Sequence, residues 1–263
     1  MTTTNEPVLL RRDDGRVAVL TLNRPAAMNA LSGELIDALQ QEFDRLAKDR
    51  EIRCVIIEAN GRAFSAGHDL REVRSSDQYA FHYDLITRCS AMMMTIHRLP
   101  QPVIAKVHAI ATAAGCQLVA ACDLAVASSD ASFATPGVNI GLFCGTPSVP
   151  LGRNVGSKRA LDMLFTGEPV SAETALRDGL VSRIVPPAEL DTATMALAQT
   201  IASKSPLVLA QGKALFHKHM EMGLEQAYAY ASTHMAGALM REDAKLGIDA
   251  FVNKQGLPEW TGR

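Results

Sequence analysis

Two short stretches of small residues stand out, because each could present free backbone N–H groups to a ligand. The first spans residues 107–123 (VHAIATAAGCQLVAACD) and follows an apolar, β-branched run that predicts a buried strand. A helix is predicted to begin at Thr112, whose hydroxyl is suited to the N-cap. Ala113, Ala114 and Gly115 have almost no side chain, so the N–H of Ala114 could bind an anion or a developing oxyanion. The same residues would also allow a helix to pack tightly in a core.

The second stretch, residues 61–70 (GRAFSAGHDL), is likewise a turn of small residues after an apolar segment. It directly follows the apolar segment 54–58 (CVIIE), which predicts another buried strand. A turn around Ala66, Gly67 and His68 could direct backbone N–H groups inward. Two strand ends that each offer backbone donors could converge on a single oxygen atom.

Together with residues 23–31 (NRPAAMNAL), these motifs resemble the crotonase (enoyl-CoA hydratase/isomerase) superfamily along nearly the whole chain. The segments ATAAGCQLVA, SFATPGVN and MLFTGEP are most similar to its enoyl-CoA hydratase domain-containing protein 3 group. The resemblance implies an α/β, crotonase-like spiral of ββα units over residues 1–200. It also implies a helical region over residues 201–263 through which such proteins form homotrimers, often doubled to hexamers.

The resemblance further implies that a coenzyme A thioester is bound as substrate or ligand, with no other cofactor. Its carbonyl would be polarised by the backbone N–H groups of His68 and Ala114. Hydratases of this superfamily activate water with two glutamates, and the matching positions hold Gln117 and Gly137. An amide has no accessible change of protonation, and each missing acid or base costs typically about 10²–10⁴-fold. Hydration of simple enoyl-CoA esters, the lyase reaction of fatty acid metabolism, is therefore expected to be weak or absent.

Two other functions stay open from the sequence. His68 titrates near neutrality, and SAGHD also occurs in the methylmalonyl-CoA decarboxylases of the superfamily, where only an enolate must be stabilised. Those decarboxylases use a tyrosine in the loop where this chain has Cys144, which we interpret as a buried thiol. The other possibility is a protein that binds acyl-CoA without catalysis.

Contacts with coenzyme A are assigned by resemblance to three segments. Lys254 could equally be an ordinary solvated lysine, and Asp69 also suits the cap of a following helix. The segments 24–30 and 66–70 would lie along the pantetheine and nucleotide, whereas the C-terminal segment would reach the adenine, commonly across a subunit interface. The assigned residues are Arg24, Ala26, Met28, Ala30, Ala66, Asp69, Leu70, Phe251 and Lys254.

Composition narrows the remaining classes of function. The chain has 263 residues, of which 48% are hydrophobic and 21% charged, and its net charge is -2, so neither nucleic acid nor an anionic membrane is an expected partner. Five cysteines without metal-ligand spacing predict reduced thiols and no metal site. No signal-peptide pattern or membrane-spanning run is visible, which together with the thiols predicts a cytoplasmic location.

The pattern of apolar residues in the rest of the chain predicts the strands and helices that position these motifs. Residues 8–10 and 17–22 are expected to form a hairpin, and residues 35–49 an amphipathic helix. Strands alternate with helices to about residue 185, residues 131–150 are interpreted as loop-rich, and the last third is helical. This order indicates an α/β domain with a helical appendage.

Overall fold

The computed structural model describes residues 6–263 and contains two sheets flanked by helices. The strands are β1 (Leu9–Asp14), β2 (Val17–Leu22), β3 (Cys54–Ala59), β4 (Ala63–Ser65), β5 (Val103–Val107), β6 (Ile110–Thr112), β7 (Leu124–Ser128), β8 (Ser132–Ala134), β9 (Val170–Ser171) and β10 (Arg183–Val185). The helices are α1 (Gly33–Leu46), α2 (Leu70–Val73), α3 (Tyr79–Arg98), α4 (Ala114–Ala121), α5 (Gly145–Asn154), α6 (Ser157–Thr166), α7 (Ala172–Arg177), α8 (Leu190–Ala202), α9 (Pro206–His219), α10 (Leu224–Leu239) and α11 (Glu242–Val252). Within the described residues, none of these helices is long and apolar enough to span a membrane.

Successive strand pairs divide between the two sheets. The larger sheet has the order β1-β2-β3-β5-β7-β10 and is parallel except for the β1–β2 hairpin. The smaller sheet has the order β4-β6-β8-β9. In the pairs β3/β4, β5/β6 and β7/β8, the first strand joins the larger sheet and the second joins the smaller one. The chain therefore winds as a spiral of ββα units, as predicted.

Both faces of the larger sheet are covered, which explains the uninterrupted apolar runs of its strands. On one face of β2, Leu20 and Leu22 pack in the main core with Leu35 and Phe43 of α1. On the other face, alternate residues of β2, β3, β5 and β7 pack against α8. Because the sheet is buried on both sides, the ends of its strands are held rigidly for the turns that follow them.

The prediction of loop for residues 131–150 was partly wrong, since the segment contains β8 and the start of α5. Pro147 lies in the first turn of α5, where the missing N–H removes no helical hydrogen bond. Pro150 lies deeper in the helix, but it is buried together with Leu151. Tertiary packing therefore stabilises a helix that the local proline and glycine signals argued against.

The last three helices carry large apolar side chains that the single chain leaves in solvent. Within α9 and α10 no residue is buried, and Leu224, Tyr228 and Met235 of α10 are 77%, 70% and 61% exposed. The C-terminus is anchored on the buried carboxylate of Asp243, which accepts hydrogen bonds from Ser205 and Thr261. The division into a core of residues 1–200 and a helical region of residues 201–263 stays a prediction.

Candidate functional site

The two small-residue turns predicted from sequence are in direct contact. They follow β4 and β6, which are neighbours in the smaller sheet. Gly67 has a φ of +88°, and a Cβ atom at this position would lie 2.8 Å from the Cβ of Ala113 and 3.2 Å from the backbone nitrogen of Ala114. Only glycine fits such a conformation at such a close approach. The turn after β4 therefore lies against the first residue of α4.

Each turn contributes a backbone N–H group that has no hydrogen-bond partner among residues 6–263. Around His68, the N–H of Leu31 donates to Gly67 O at 2.7 Å and the N–H of Asp69 donates to Leu31 O at 3.3 Å, whereas the N–H of His68 itself is unused. Ala114 is the first residue of α4, and its N–H is likewise unpaired in the described part of the chain. Two neighbouring free donors of this kind are suited to an oxygen that carries negative charge.

Thr112 does not cap α4, contrary to the sequence-based expectation. The N-cap position is Ala113, with φ 49° and ψ −118°, and no side chain caps the helix. Thr112 is the last residue of β6, and its hydroxyl donates to Ala66 O at 3.1 Å. Thr112 therefore joins the two turns to each other.

The backbone of Ala113 is strained. A non-glycine residue with such a φ costs roughly 1–3 kcal/mol, and the hydrogen bond from Ala113 N to Ala134 O at 2.9 Å helps to hold this conformation.

Asn29 is a residue of the site that the sequence analysis missed. It is fully buried; its Oδ1 accepts from Arg24 N at 2.8 Å, and its Nδ2 donates to Asn60 O at 2.7 Å and to Ala63 O at 2.8 Å. Asn29 and Met28 both have a φ of 52°. Asparagine tolerates this region better than most residues, which is the signal that could have identified it. Its hydrogen bonds attach the 24–30 segment to the strand that precedes the turn at Gly67.

Arg24 and Asp69, two of the predicted coenzyme A contacts, form an ion pair at 2.9 Å. The carboxylate of Asp69 also accepts from Arg71 N and Glu72 N, so its predicted role as the cap of α2 is confirmed. The hydrogen bond from Arg24 lowers the pKa of Asp69. The other assigned residues of these segments differ in accessibility, since Ala26 and Leu70 are exposed, Met28 and Ala66 half-buried and Ala30 buried.

Gln117 lies one helical turn beyond Ala114 and lines a cavity of about 480 Å³. The side chain is only 4% exposed, and its Oε1 has no hydrogen-bond partner in the described chain. The cavity lies between α3, α4, α5, α9 and the turn after α9, and it is partly open to solvent. Its lining residues are Ser90, Met93, Met94, His97, Gln117, Ala121, Thr146, Val149, Pro150, Arg153, His217 and Glu221.

Gly137 lies in the short 3₁₀ turn 136–140, and the following loop closes over it. A Cβ atom at this position would lie 2.6 Å from Leu142 O and 2.9 Å from the Sγ of Cys144. The N–H of Gly137 donates to that sulfur at 3.3 Å. The space in which a side chain at residue 137 would begin is therefore already filled, and this could not be predicted from the glycine alone.

Two titratable groups near the turns are held uncharged. Burial lowers the pKa of His68, an effect that contact with the backbone of Leu31 partly opposes, and neither buried ring nitrogen has a hydrogen bond of ordinary geometry within residues 6–263. Burial also raises the pKa of the Cys144 thiol, an effect that the N–H of Gly137 partly opposes. A neutral thiol that is 7% exposed agrees with the interpretation of Cys144 as a buried, unreactive side chain.

Phe251 and Lys254 lie at the C-terminal end of α11 and are exposed, Phe251 by 85%. Phe251 lines a separate apolar cavity of about 640 Å³ between α9, α10 and α11. Within the described part of this single chain they are not brought against Arg24 or Asp69 by any hydrogen bond or ion pair. Their assignment to the adenine end of coenzyme A stays a prediction.

A larger cavity, of about 900 Å³, is not where the free backbone donors lie. It is found between the end of α4 and helix α9, and it contains Asp123, Lys213 and His217. The described residues include no group of three or more histidine, cysteine or acidic side chains that could hold a metal ion. The convergence of the two turns, and not cavity size, identifies the candidate site.

Comparison with known families agrees with this geometry. The sequence pattern of the enoyl-CoA hydratase/isomerase family matches residues 12–263, so the chain belongs to that family. Mouse (Mus musculus) enoyl-CoA hydratase domain-containing protein 3, mitochondrial, is 46% identical over 251 residues, which are 95% of this chain and 83% of the mouse protein.

Solved structures establish the fold. A crystal structure of an enoyl-CoA hydratase from Mycobacterium smegmatis superposes with a TM-score of 0.95 at 52% identity, covering 97% of this chain and 99% of the other. The human enoyl Coenzyme A hydratase domain-containing protein 3 superposes with a TM-score of 0.94 at 45% identity, covering 96% and 100%. The prediction of a crotonase-like fold, and the resemblance to this group, are thereby confirmed.

The predicted cytoplasmic location is contradicted by these relatives. The mouse, rat and human proteins of this group, each 46% identical to this chain, are all named mitochondrial. Reduced, buried cysteines were the main argument for the cytoplasm. They are equally compatible with a mitochondrial protein, because burial alone keeps a thiol unreactive.

Proposed function

We propose that the protein binds an acyl-CoA thioester and holds its carbonyl oxygen between the backbone N–H groups of His68 and Ala114. The observation that carries the proposal is the close approach of Gly67 to the start of α4. A Cβ atom added to Gly67 would lie 3.2 Å from the backbone nitrogen of Ala114. Both N–H groups are free of partners in residues 6–263, so neither must break a hydrogen bond to bind the oxygen. Removing one such donor typically costs roughly 2.7–4 kcal/mol in a transition state of enolate character.

We further propose that hydration of simple enoyl-CoA esters is weak or absent. The amide of Gln117 can orient a water molecule, but it can neither remove nor supply a proton. Gly137 has no side chain, and Leu142 and Cys144 occupy the space in front of it. Because neither position 117 nor position 137 has a carboxylate, the site lacks both of the groups with which hydratases of this family move protons.

The test is the hydration of crotonyl-CoA by the wild type and by Gln117→Glu. Glutamate has almost the same size as glutamine, and the unpaired Oε1 of Gln117 means that the exchange breaks no hydrogen bond of that oxygen. We expect the wild type near background and the variant at least about 10²-fold faster. Gln199→Glu, on the exposed side of α8, is the matched control and should change nothing. A wild-type kcat in the ordinary range of about 1–10³ s⁻¹ would contradict the proposal.

A second candidate is a decarboxylase-like or other enolate-forming reaction assisted by His68. It is favoured by the buried imidazole of His68, because the backbone N–H of the same residue is one of the two proposed oxyanion donors. Loss of carbon dioxide from a malonyl-type thioester requires stabilisation of an enolate but no base to begin. Release of carbon dioxide from methylmalonyl-CoA, with a pH dependence that disappears in His68→Ala, would support it. Activity unchanged in that variant would exclude the imidazole.

The third candidate is a protein that binds acyl-CoA without turnover. It is supported by the same absence of carboxylates at positions 117 and 137. Submicromolar binding of acyl-CoA esters, combined with no product from a panel of enoyl-, malonyl- and hydroxyacyl-CoA esters, would distinguish it from both enzymatic candidates. Any turnover that is lost with Gly67→Ala would exclude it.

We also propose that the chain self-associates as a homotrimer or hexamer through its C-terminal helices. The support is the large apolar surface of α10 and α11, to which Leu224, Tyr228 and Phe251 contribute while 70–85% exposed. Such a surface is unusual for a monomer in water. Light scattering of the purified protein gives the mass directly, and Tyr228→Glu should lower it by weakening the interface. A monomeric wild type at micromolar concentration would refute this proposal.

A further inference from the structure

The cavity at Gln117 lies along α4 on the C-terminal side of the proposed oxyanion donor Ala114, which is not itself among the lining residues. Ala114, Gln117 and Ala121 lie on one face of α4, because residues three and seven positions apart share a face of a helix. Gln117 and Ala121 both line the cavity, and Ala121 lies about 10 Å beyond Ala114 at 1.5 Å per residue. An acyl chain whose carbonyl is bound at Ala114 would therefore extend along α4 through this cavity.

The walls of the middle of the cavity are apolar. Met93 of α3 and Pro150 of α5 are buried, and Val149 of α5, which is 53% exposed, lines the cavity at its opening to solvent. An alkyl chain fits these walls, since each CH₂ group removed from water contributes about 0.8 kcal/mol. An extended chain advances roughly 1.2 Å per bond, so about nine bonds span the distance to Ala121.

At the level of Ala121 the lining becomes polar, and the same polar residues also line the neighbouring cavity of about 900 Å³. His97 and His217 are in contact there, with 3.4 Å between Nδ1 of His97 and Nε2 of His217. Arg153 and Glu221 lie at the same end, with 3.4 Å between Nε and Oε1. Both distances exceed those of strong hydrogen bonds, so these side chains retain capacity for another partner.

The charges at this end balance. Arg153 is offset by Glu221 in an exposed ion pair. Behind His217, the carboxylate of Asp123 is paired with Lys213 at 2.6 Å and also lies 3.4 Å from His217 Nε2, so Nδ1 of His217 is the nitrogen left for another partner. Burial is the main cause that lowers the pKa of His97, which leaves its ring neutral near pH 7, with one donor and one acceptor nitrogen. A carboxylate or an ammonium group at the end of the chain would be attracted by one member of the Arg153–Glu221 pair and repelled by the other, so neither charge is favoured. A hydroxyl group can both donate and accept.

From this arrangement we infer that the acyl group is a chain of about ten carbons that carries a hydroxyl at its far end, recognised by His97 and His217. The inference rests on the proposed function, because it assumes that the thioester is bound at His68 and Ala114. It adds the class of substrate: medium-chain acyl-CoA esters with an uncharged, hydrogen-bonding end. His97 is then a residue that determines specificity and not one that takes part in the reaction.

The experiment compares the dissociation constants of decanoyl-CoA, 10-hydroxydecanoyl-CoA and decanedioyl-CoA, with acetyl-CoA as the chain-free reference. We expect the hydroxy ester to bind about three- to tenfold more tightly than decanoyl-CoA, the effect of one added hydrogen bond. The dicarboxylic ester should bind no more tightly than decanoyl-CoA. Equal binding of the hydroxy and plain esters, or tightest binding of the dicarboxylic ester, would overturn the inference.

Variants locate the effect. His97→Phe keeps an aromatic ring but removes the ring nitrogens. In this variant 10-hydroxydecanoyl-CoA and decanoyl-CoA should bind about equally, and the affinity for decanoyl-CoA should be retained. Ser90→Ala, two turns away on the same helix and lining the same cavity, should preserve the preference. A preference that survives in His97→Phe and in His217→Phe would refute the roles of both histidines. If acetyl-CoA binds but none of the ten-carbon esters does, only this inference is overturned. If acetyl-CoA does not bind either, the proposed function is refuted as well.

Discussion

Gly115 of α4 lies so close to Ser65 of β4 that a Cβ atom at position 115 would stand 2.3 Å from the carbonyl oxygen of Ser65. This contact sets the distance between the first turn of α4 and the strand that precedes Gly67 and His68. The small-residue run therefore serves both purposes considered from the sequence, tight packing and exposed backbone donors. Close packing at Gly115 is what brings the donors of His68 and Ala114 to one place.

The first prediction concerns Gly115→Ala. The added methyl group collides with backbone atoms of Ser65, which cannot rotate away, so we expect the free energy of unfolding to fall by about 1–3 kcal/mol and thioester binding to weaken. Urea denaturation and acyl-CoA titration measure the two effects. Gly152→Ala in α5 is the matched control, because nothing lies within 4 Å of its Cβ site, and it should be neutral or stabilising by up to about 1 kcal/mol. Equal stability of the two variants would show that the approach to Ser65 is not rigid.

The second prediction concerns the closed loop at Gly137. Gly137→Ala must displace Leu142 O or Cys144 Sγ, and we expect a loss of about 1–3 kcal/mol in the free energy of unfolding. Gly145→Ala, at the start of α5 with open space around its Cβ site, should change stability little. Thermal unfolding compares them. Gly137→Glu should for the same reason fail to create hydratase activity, and a gain of hydration by that variant would mean that the loop opens readily.

The third prediction concerns Lys213, which attaches α9 to the core. Its Nζ donates to Asp123 Oδ2 at 2.6 Å and to the carbonyl oxygens of Ile96 and Gln101 at 2.7 and 3.1 Å, and its side chain is only 7% exposed. Lys213→Met leaves the largely buried carboxylate of Asp123 without its ammonium partner, with only the N–H of Val103 at 2.7 Å and Nε2 of His217 at 3.4 Å beside it, so we expect a loss of about 3–5 kcal/mol in urea denaturation. Lys218→Met, on the exposed side of the same helix, should have almost no effect. The double variant Lys213→Met/Asp123→Asn should recover part of the lost free energy of unfolding, because it removes the carboxylate charge. If the double variant is no more stable than Lys213→Met, that charge is not the cause of the loss.

The fourth prediction concerns the pH dependence of stability at His68. Burial places the pKa of His68 in the folded protein below its ordinary value of 6.5, which approximates the unfolded chain. Above that value both states are neutral; below it the unfolded chain takes up a proton that the folded protein does not, so stability falls as the pH decreases. Urea midpoints between about pH 7.5 and 5.5 should therefore decline less in His68→Gln than in the wild type. His97, whose pKa is lowered mainly by burial, supplies the decline that remains. Identical slopes for the two proteins would contradict the burial of His68.

Much of the site could be predicted from the sequence because the relevant signals are local. Apolar runs predicted β3 to within one residue and a buried strand just before the first small-residue stretch, where β5 lies, and helical spacing predicted α1. The small residues at 66–68 and 113–115 predicted backbone donors, since a missing side chain is a property of the residue itself. The identities of Gln117 and Gly137 likewise limit the chemistry whatever the fold, because folding cannot give an amide or a hydrogen atom a titratable proton.

The remaining features depend on residues that are distant along the chain. Thr112 was expected to cap α4, but sheet pairing places it beside Ala66, 46 positions away, where a hydrogen bond to that carbonyl replaces the cap. Helix α5 forms despite its two prolines because its buried residues pack against α4. The loop closed over Gly137 and the polar end of the cavity at His97 and His217 likewise bring together residues from separate elements. Sequence periodicity reports only the neighbours of a residue within a few turns, whereas these contacts are set by the order of strands in two sheets.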